Sequence, residues 1–130
     1  MLRVGKKGIN AERELIDLLK RKGFFVIRAA GSGLMKTPDV LAFKLGSYFG
    51  FEVKAHRKNY LTVLKHQIEN LKNWEKNTGI NMYIAWKTKK FGFLFIPTTY
   101  FNGNIMENKK TLSIHIHDAL KISYKEWEIN

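Results

Sequence analysis

The apolar residues of this chain change their spacing along its length, and that change restricts the fold more than any other property of the sequence. From Gly5 to Lys22, the residues Ile9, Leu15, Ile16 and Leu19 recur on one helical face, and Gly23 supplies a stop. Short β-rich runs follow. Phe24–Ala29, Asp39–Lys44 and Tyr48–Lys54 read as strands, the last two joined as a hairpin through Gly46-Ser47. The helical period returns over Thr62–Asn77, with Leu64, Ile68, Leu71 and Trp74 or Glu75 on its inner face and Gly79 as its end. Met82–Lys87 and Phe91–Pro97 are further strands, with Gly103-Asn104 as a turn beyond them. Leu112–Ile116 is a weaker strand, and a short segment with Tyr124 and Trp127 follows it. This order predicts an α/β fold, a mixed sheet flanked by helices.

At 130 residues the chain suits one domain. Its 45% hydrophobic and 13% aromatic content is enough for a packed core and too high for a disordered chain. The lack of cysteine excludes disulfides, thiolate zinc sites, iron–sulfur clusters and cysteine nucleophiles. Apolar runs such as Phe93–Ile96 are far shorter than a membrane span. Arg3, Lys6 and Lys7 have no apolar stretch behind them that would make a signal peptide, so an intracellular, cytoplasmic protein is expected. The charge is more selective. There are 23 Lys and Arg against 11 Asp and Glu, a net +12, which points to a polyanionic partner. Nucleic acid comes first, because neutralising phosphates releases counterions. An anionic membrane surface would need a basic amphipathic helix, whereas Thr62–Asn77 mixes cations and acids on its polar face.

Four residues carry candidate chemistry. Glu12 falls at the centre of the apolar face of the first helix, where an unpaired carboxylate is costly. It needs a metal, a lysine or an arginine as partner, unless it sits at a helix edge that reaches solvent. Asp39 follows Pro38 at the mouth of a strand, which is also a common way to open a turn. Glu52 and Lys54 flank Val53 and so share one strand face, a pattern equally at home on an ordinary surface strand. Pairing about Gly46-Ser47 sets Asp39 nearly opposite Glu52. Two carboxylates so placed repel unless a cation lies between them. Oxygen ligands without His or Cys select Mg²⁺ or Mn²⁺ over zinc. With a lysine one pleat along, the set has the equipment of metal-assisted phosphodiester hydrolysis.

Pro38-Asp39 and Glu52-Val53-Lys54, with Glu12 on the helix before them, resemble the PD-(D/E)xK nuclease superfamily. Within it the chain is similar to archaeal-type Holliday junction resolvases. Gly8, Glu12 and Arg13 match that family's first helix. Lys22, Gly23, Phe24, Val26 and Arg28 match its next strand, Ser32 and Gly33 its Ser-Gly loop, and Gln67 its downstream helix. The likeness runs over about residues 5–97. The chain departs at Leu64-Lys65-His66, where the family tends to carry arginines, and shows little similarity after Pro97. The resemblance implies a restriction-endonuclease-like mixed central β-sheet flanked by helices. It also implies a homodimer cutting opposed strands of a four-way DNA junction with Mg²⁺, for which Mn²⁺ substitutes, and no other small-molecule cofactor. By that likeness Glu12, Asp39 and Glu52 are metal ligands together with the Val53 carbonyl, and Lys54 is the catalytic lysine. Ser32 lies in a loop near the scissile phosphate, and Gln67 supports the site.

Three basic groups flank these positions: Arg3, Lys6, Lys7 and Arg13; Arg28 and Lys36; and His56, Arg57 and Lys58. They are expected to form a positive rim that holds phosphates. Phe91, Phe93 and Phe95 share one face of a strand, with Leu94 and Ile96 on the other, as in a central strand or a subunit interface. His115, His117 and Asp118 lack the further ligands of a closed zinc site and read as surface or phosphate contacts. The expected function is a Mg²⁺-dependent, structure-selective DNA endonuclease that resolves four-way junctions. The alternatives are a related nuclease for flaps, duplex ends or damaged DNA, and a non-catalytic junction binder.

Overall fold

A computed structural model describes residues 6–29, 36–102, 106–107 and 110–126. Helix α1 (Lys6–Arg21) is followed by strands β1 (Phe25–Arg28), β2 (Val40–Lys44), β3 (Ser47–Ala55) and β4 (Tyr60–Leu64). Helix α2 (Lys65–Thr78) leads to β5 (Asn81–Lys87), β6 (Phe93–Pro97) and a 3-10 turn at Thr98–Asn102. Strands β7 (Met106–Glu107) and β8 (Thr111–His115) precede helix α3 (Ile116–Glu126). Five strands form a mixed sheet in the order β1-β2-β3-β5-β6, with β3 and β5 parallel and the other pairs antiparallel. Strands β4, β8 and β7 make a second, three-stranded sheet. Among the described residues no helix is long and apolar enough to cross a membrane.

The five-stranded sheet separates two cores. On one side Leu15 and Leu19 of α1 pack with Phe51, Ala85 and Phe95, as the helical period of α1 predicts. On the other, Ile68 and Leu71 of α2 and Ala119 of α3 pack with Met82, Ile84, Trp86, Leu94 and Ile96. Alternation along β3 thus turns Phe51 toward α1 and leaves Gly50, Glu52 and Lys54 on the α2 side. Gly50 pairs with Met82 across β3 and β5. A Cβ there would lie 2.3 Å from Met82 Sδ and 2.8 Å from its Cε. Met82 is buried, so its thioether has no solvent to swing into. Gly50→Ala is expected to cost roughly 1–3 kcal/mol. The check is a lower urea midpoint at unchanged m-value, partly recovered by adding Met82→Val.

Several sequence expectations change here. Thr62–Leu64 belongs to a strand and not to the second helix, and Leu64 is an exposed N-cap. The segment Tyr60–Leu64 alternates exposed and buried residues and pairs with β8, whereas the helical spacing of Leu64 with Ile68 and Leu71 is coincidental. The short final segment contains a helix, α3, that buries Ile116, Ala119 and Ser123 at helical spacing. Strand β6 is apolar on both faces yet stands at the sheet edge and not at its centre. Helix α3 closes that edge, and the Phe95 N–H donates to Ser123 Oγ at 3.2 Å. Phe91 lies outside β6, 48% exposed. Gly79 ends α2 as expected, at φ +75°, with its N–H donating to the Glu75 carbonyl. The turn expected at Gly103-Asn104 lies outside the described residues.

Candidate active site

The β2–β3 hairpin puts Val40 opposite Phe51, and the same register carried one residue further sets Asp39 beside Glu52. Strand β2 stops at Val40, while β3 continues to Ala55 with its far edge still paired to β5. A fork opens between the two strands, and the Asp39 side chain occupies it. The Val53 N–H donates to Asp39 Oδ2 at 2.8 Å, taking the bond a neighbouring strand would have made. The Val53 carbonyl leaves β3 on the same side as its N–H, so it also faces the fork.

Glu52 is the most perturbed acid described. Its carboxyl is raised from the ordinary 4.5 to about 8, mainly by burial, then by the charge and the hydrogen bond of Asp39. Glu12 adds repulsion, and Lys54 partly offsets it. Lys54 Nζ donates to Gln67 Oε1 at 2.9 Å, so the first turn of α2 fixes where the ammonium sits.

The partner expected for Glu12 is an arginine: Arg28 Nε reaches Glu12 Oε1 at 3.0 Å. The Glu12 side chain is 12% exposed, so this bond answers the cost of a carboxylate on an apolar face. Among the described residues no three acidic or histidine side chains close on one point as a finished metal cage. Asp39 and Glu52 touch, and Glu12 stands with Arg28 beside them.

The structure brings Glu12, Asp39, Glu52, Val53, Lys54 and Gln67 to this end of β3, and Arg28 joins them as the salt-bridge partner of Glu12. Arg13, Lys36, Arg57 and Lys58 are exposed, Lys6 and Lys7 open α1, and Arg3 and Ser32 lie outside the described residues. His56 is half-buried and tied to β5, its N–H donating to the Lys87 carbonyl at 3.3 Å. His115 Nδ1 accepts the His117 N–H at 3.2 Å, a local bond at the start of α3.

The sequence reading missed an anchor. Trp74 Nε1 and Asn70 Nδ2, both on α2, donate to the Lys36 carbonyl at 2.8 and 3.0 Å. One helix therefore holds Lys54 through Gln67 and the segment before Asp39 through Lys36. The signal was Trp74 itself, because an indole N–H on an inner face needs an acceptor.

Comparison with known proteins identifies the family and fold. The family model described as archaeal Holliday junction resolvase (hjc) matches residues 3–126. Similarity thus continues past Pro97, where sequence reading found little. The chain is 39% identical over 120 residues to the crossover junction endodeoxyribonuclease Hjc of Methanocaldococcus jannaschii, covering 88% of this chain and 87% of that protein. It is 36% identical over 88 residues to the protein of the same name from Sulfolobus acidocaldarius, covering 65% of this chain and 62% of that one. The solved structure of Archaeoglobus fulgidus Hjc, a Holliday junction resolvase, aligns with a TM-score of 0.75 at 26% identity, over 95% of this chain and 93% of that one. Its alignment agrees with the restriction-endonuclease-like sheet expected from the motifs. On the sequence match and the shared fold together, this chain belongs to the archaeal Holliday junction resolvase family.

Proposed function

We propose that this protein is a structure-selective DNA endonuclease that resolves four-way junctions by phosphodiester hydrolysis. The observation that carries the reading is the contact between the buried Glu52 carboxyl and Asp39, with Lys54 one pleat along and held by Gln67. Burial, and then the charge and hydrogen bond of Asp39, raise the Glu52 carboxyl to about 8. Those two carboxylates and the Val53 carbonyl are hard oxygen donors, which fit Mg²⁺, or Mn²⁺ in its place, better than zinc. Such a cation, when bound, neutralises charge at the phosphate and acidifies water.

The protein's own residues do the rest. The Val53 N–H fixes the Asp39 carboxylate in the fork. Gln67 takes one hydrogen bond of the Lys54 ammonium, which leaves its other donors for a phosphate oxygen or the attacking water. Glu12 is held by Arg28 and reaches the site by exchanging that partner. Arg3, Lys6, Lys7, Arg13, Arg28, Lys36, Arg57 and Lys58 are the cations for backbone phosphates, and Ser32 is the residue for the cleaved bond. A homodimer places two such sites on opposed strands. Recognition works through backbone and shape and not base edges.

The test is cleavage of an end-labelled four-way junction in Mg²⁺, with linear duplex and flap DNA as competitors. Paired symmetric nicks on opposed strands of the junction alone are expected. Preference for flap or duplex would keep the hydrolytic site and discard junction resolution. Tight binding with no cut in Mg²⁺ or Mn²⁺ would leave a non-catalytic junction binder.

A further inference from the structure

Past Lys54 the chain leaves β3 at Ala55, and two adjoining concavities open beside it. The first, about 310 Å³, has Arg57, Lys87, Lys89 and Glu14 in its wall. The second, about 260 Å³, has Arg57, Lys58, Lys89, Lys90, Phe91 and His117. Arg57 and Lys89 line both and form the ridge between them.

These walls are built, not draped. The Thr88 N–H donates to the Gly92 carbonyl at 2.8 Å. The buried Thr88 hydroxyl donates to the same carbonyl and accepts the Phe91 N–H, each at 2.8 Å. The turn that carries Lys89 and Lys90 is therefore closed on itself. The opposite wall is pinned as well. Trp86 Nε1 donates to the His56 carbonyl at 2.9 Å, and the Ile116 N–H donates to the Asn59 carbonyl at 2.7 Å.

The net charge of the walls is positive. Glu14 is the one carboxylate lining either concavity, and Lys87 holds it at 2.7 Å. Lys58 Nζ lies over the Tyr60 ring, 5.9 Å from its centroid. Among the described residues no ion pair engages Arg57, Lys58, Lys89 or Lys90. Four cations on rigid walls repel, and a polyanion relieves that repulsion. Phe91, 48% exposed between them, adds the aromatic face that single-strand binding surfaces use beside cations.

We propose that this double cradle is a second nucleic-acid site, separate from the carboxylates, in which the β5–β6 turn grips backbone phosphates flanking the cleaved bond. Lys89 and Lys90 are its new ligands, with Arg57 and Lys58 across from them and Phe91 against a sugar or base. Arg57 follows Lys54 by three positions, a reach of at most about 10 Å, or about three base steps along a duplex. The inference rests on the junction-nuclease reading and assigns it a second set of contacts.

The experiment measures binding to a labelled four-way junction in EDTA across a salt series. The variant K89A/K90A is compared with wild type and with K20A/K76A, which removes two exposed lysines elsewhere. Loss of two phosphate contacts makes the log–log salt slope shallower by about 1.8 in K89A/K90A alone. K89R/K90R keeps the wild-type slope. Phe91→Ala weakens binding about tenfold and leaves the slope unchanged. A K89A/K90A slope equal to wild type, or equal to that of K20A/K76A, overturns the cradle while the junction-nuclease reading stands. Phe91→Ala at wild-type affinity removes Phe91 from the site. A wild-type protein with no salt-dependent junction binding overturns both readings. Thermal melts confirm that each variant is folded.

Discussion

Asp39→Asn is expected to lower junction cleavage by roughly 10³-fold or more, on the scale lost when a group that stabilises transition-state charge is removed. The amide keeps the size of the side chain, and its oxygen still accepts the Val53 N–H, so the fork between β2 and β3 survives. What disappears is one negative charge at the point where a divalent cation would bind. Junction affinity in EDTA should change less than threefold, because the exposed cations proposed to contact phosphate are untouched. Single-turnover cleavage and a binding isotherm on one preparation separate the two effects. Residual cleavage within about tenfold of wild type would remove Asp39 from the reaction. Loss of binding together with a lowered melting point would mean that Asp39 serves the fold.

Glu52→Gln should give a similar loss of cleavage and, in metal-free protein, a gain in stability at alkaline pH. The folded Glu52 carboxyl holds its proton to about pH 8, against an ordinary value of 4.5. Below 4.5 both folded and unfolded chains keep the proton, and the group's contribution to stability is fully present. Between 4.5 and about 8 the unfolded chain releases its proton and the folded chain does not, so that contribution falls as pH rises. The total is on the order of a few kcal/mol. Glutamine has no proton to release. The difference in unfolding free energy between variant and wild type should therefore grow from about pH 5 to about pH 8 in EDTA. Added Mg²⁺ at the upper pH should narrow it by stabilising wild type alone. Parallel pH profiles for the two proteins would show that Glu52 titrates normally.

The hairpin that sets Asp39 beside Glu52 was more legible in the sequence than the elements around it. Pro38-Asp39 and Glu52-Val53-Lys54 fix their own geometry, because a two-residue turn sets the register of a hairpin. Glu12 announced a missing partner by standing on an apolar face, though whether that partner was a metal or Arg28 depended on how β1 lies beside α1. Strand β4 was hidden because its pairing partner, β8, lies some 50 residues away and helical spacing begins inside it. Helix α3 was hidden because Ile116, Ala119 and Ser123 carry a weak apolar stripe, whose purpose is clear only once β6 is known to be an edge.

The two grips of α2 have a mechanical consequence. Gln67 holds the Lys54 ammonium, while Asn70 and Trp74 hold the Lys36 carbonyl three residues before Asp39. When the helix drifts over the sheet, it drags both anchors in one direction. A sliding of the packed helix over the sheet would thereby move the Asp39 and Lys54 anchors together. Tilt and slide become common-mode displacements, and only a twist of α2 about its own axis would detune one against the other.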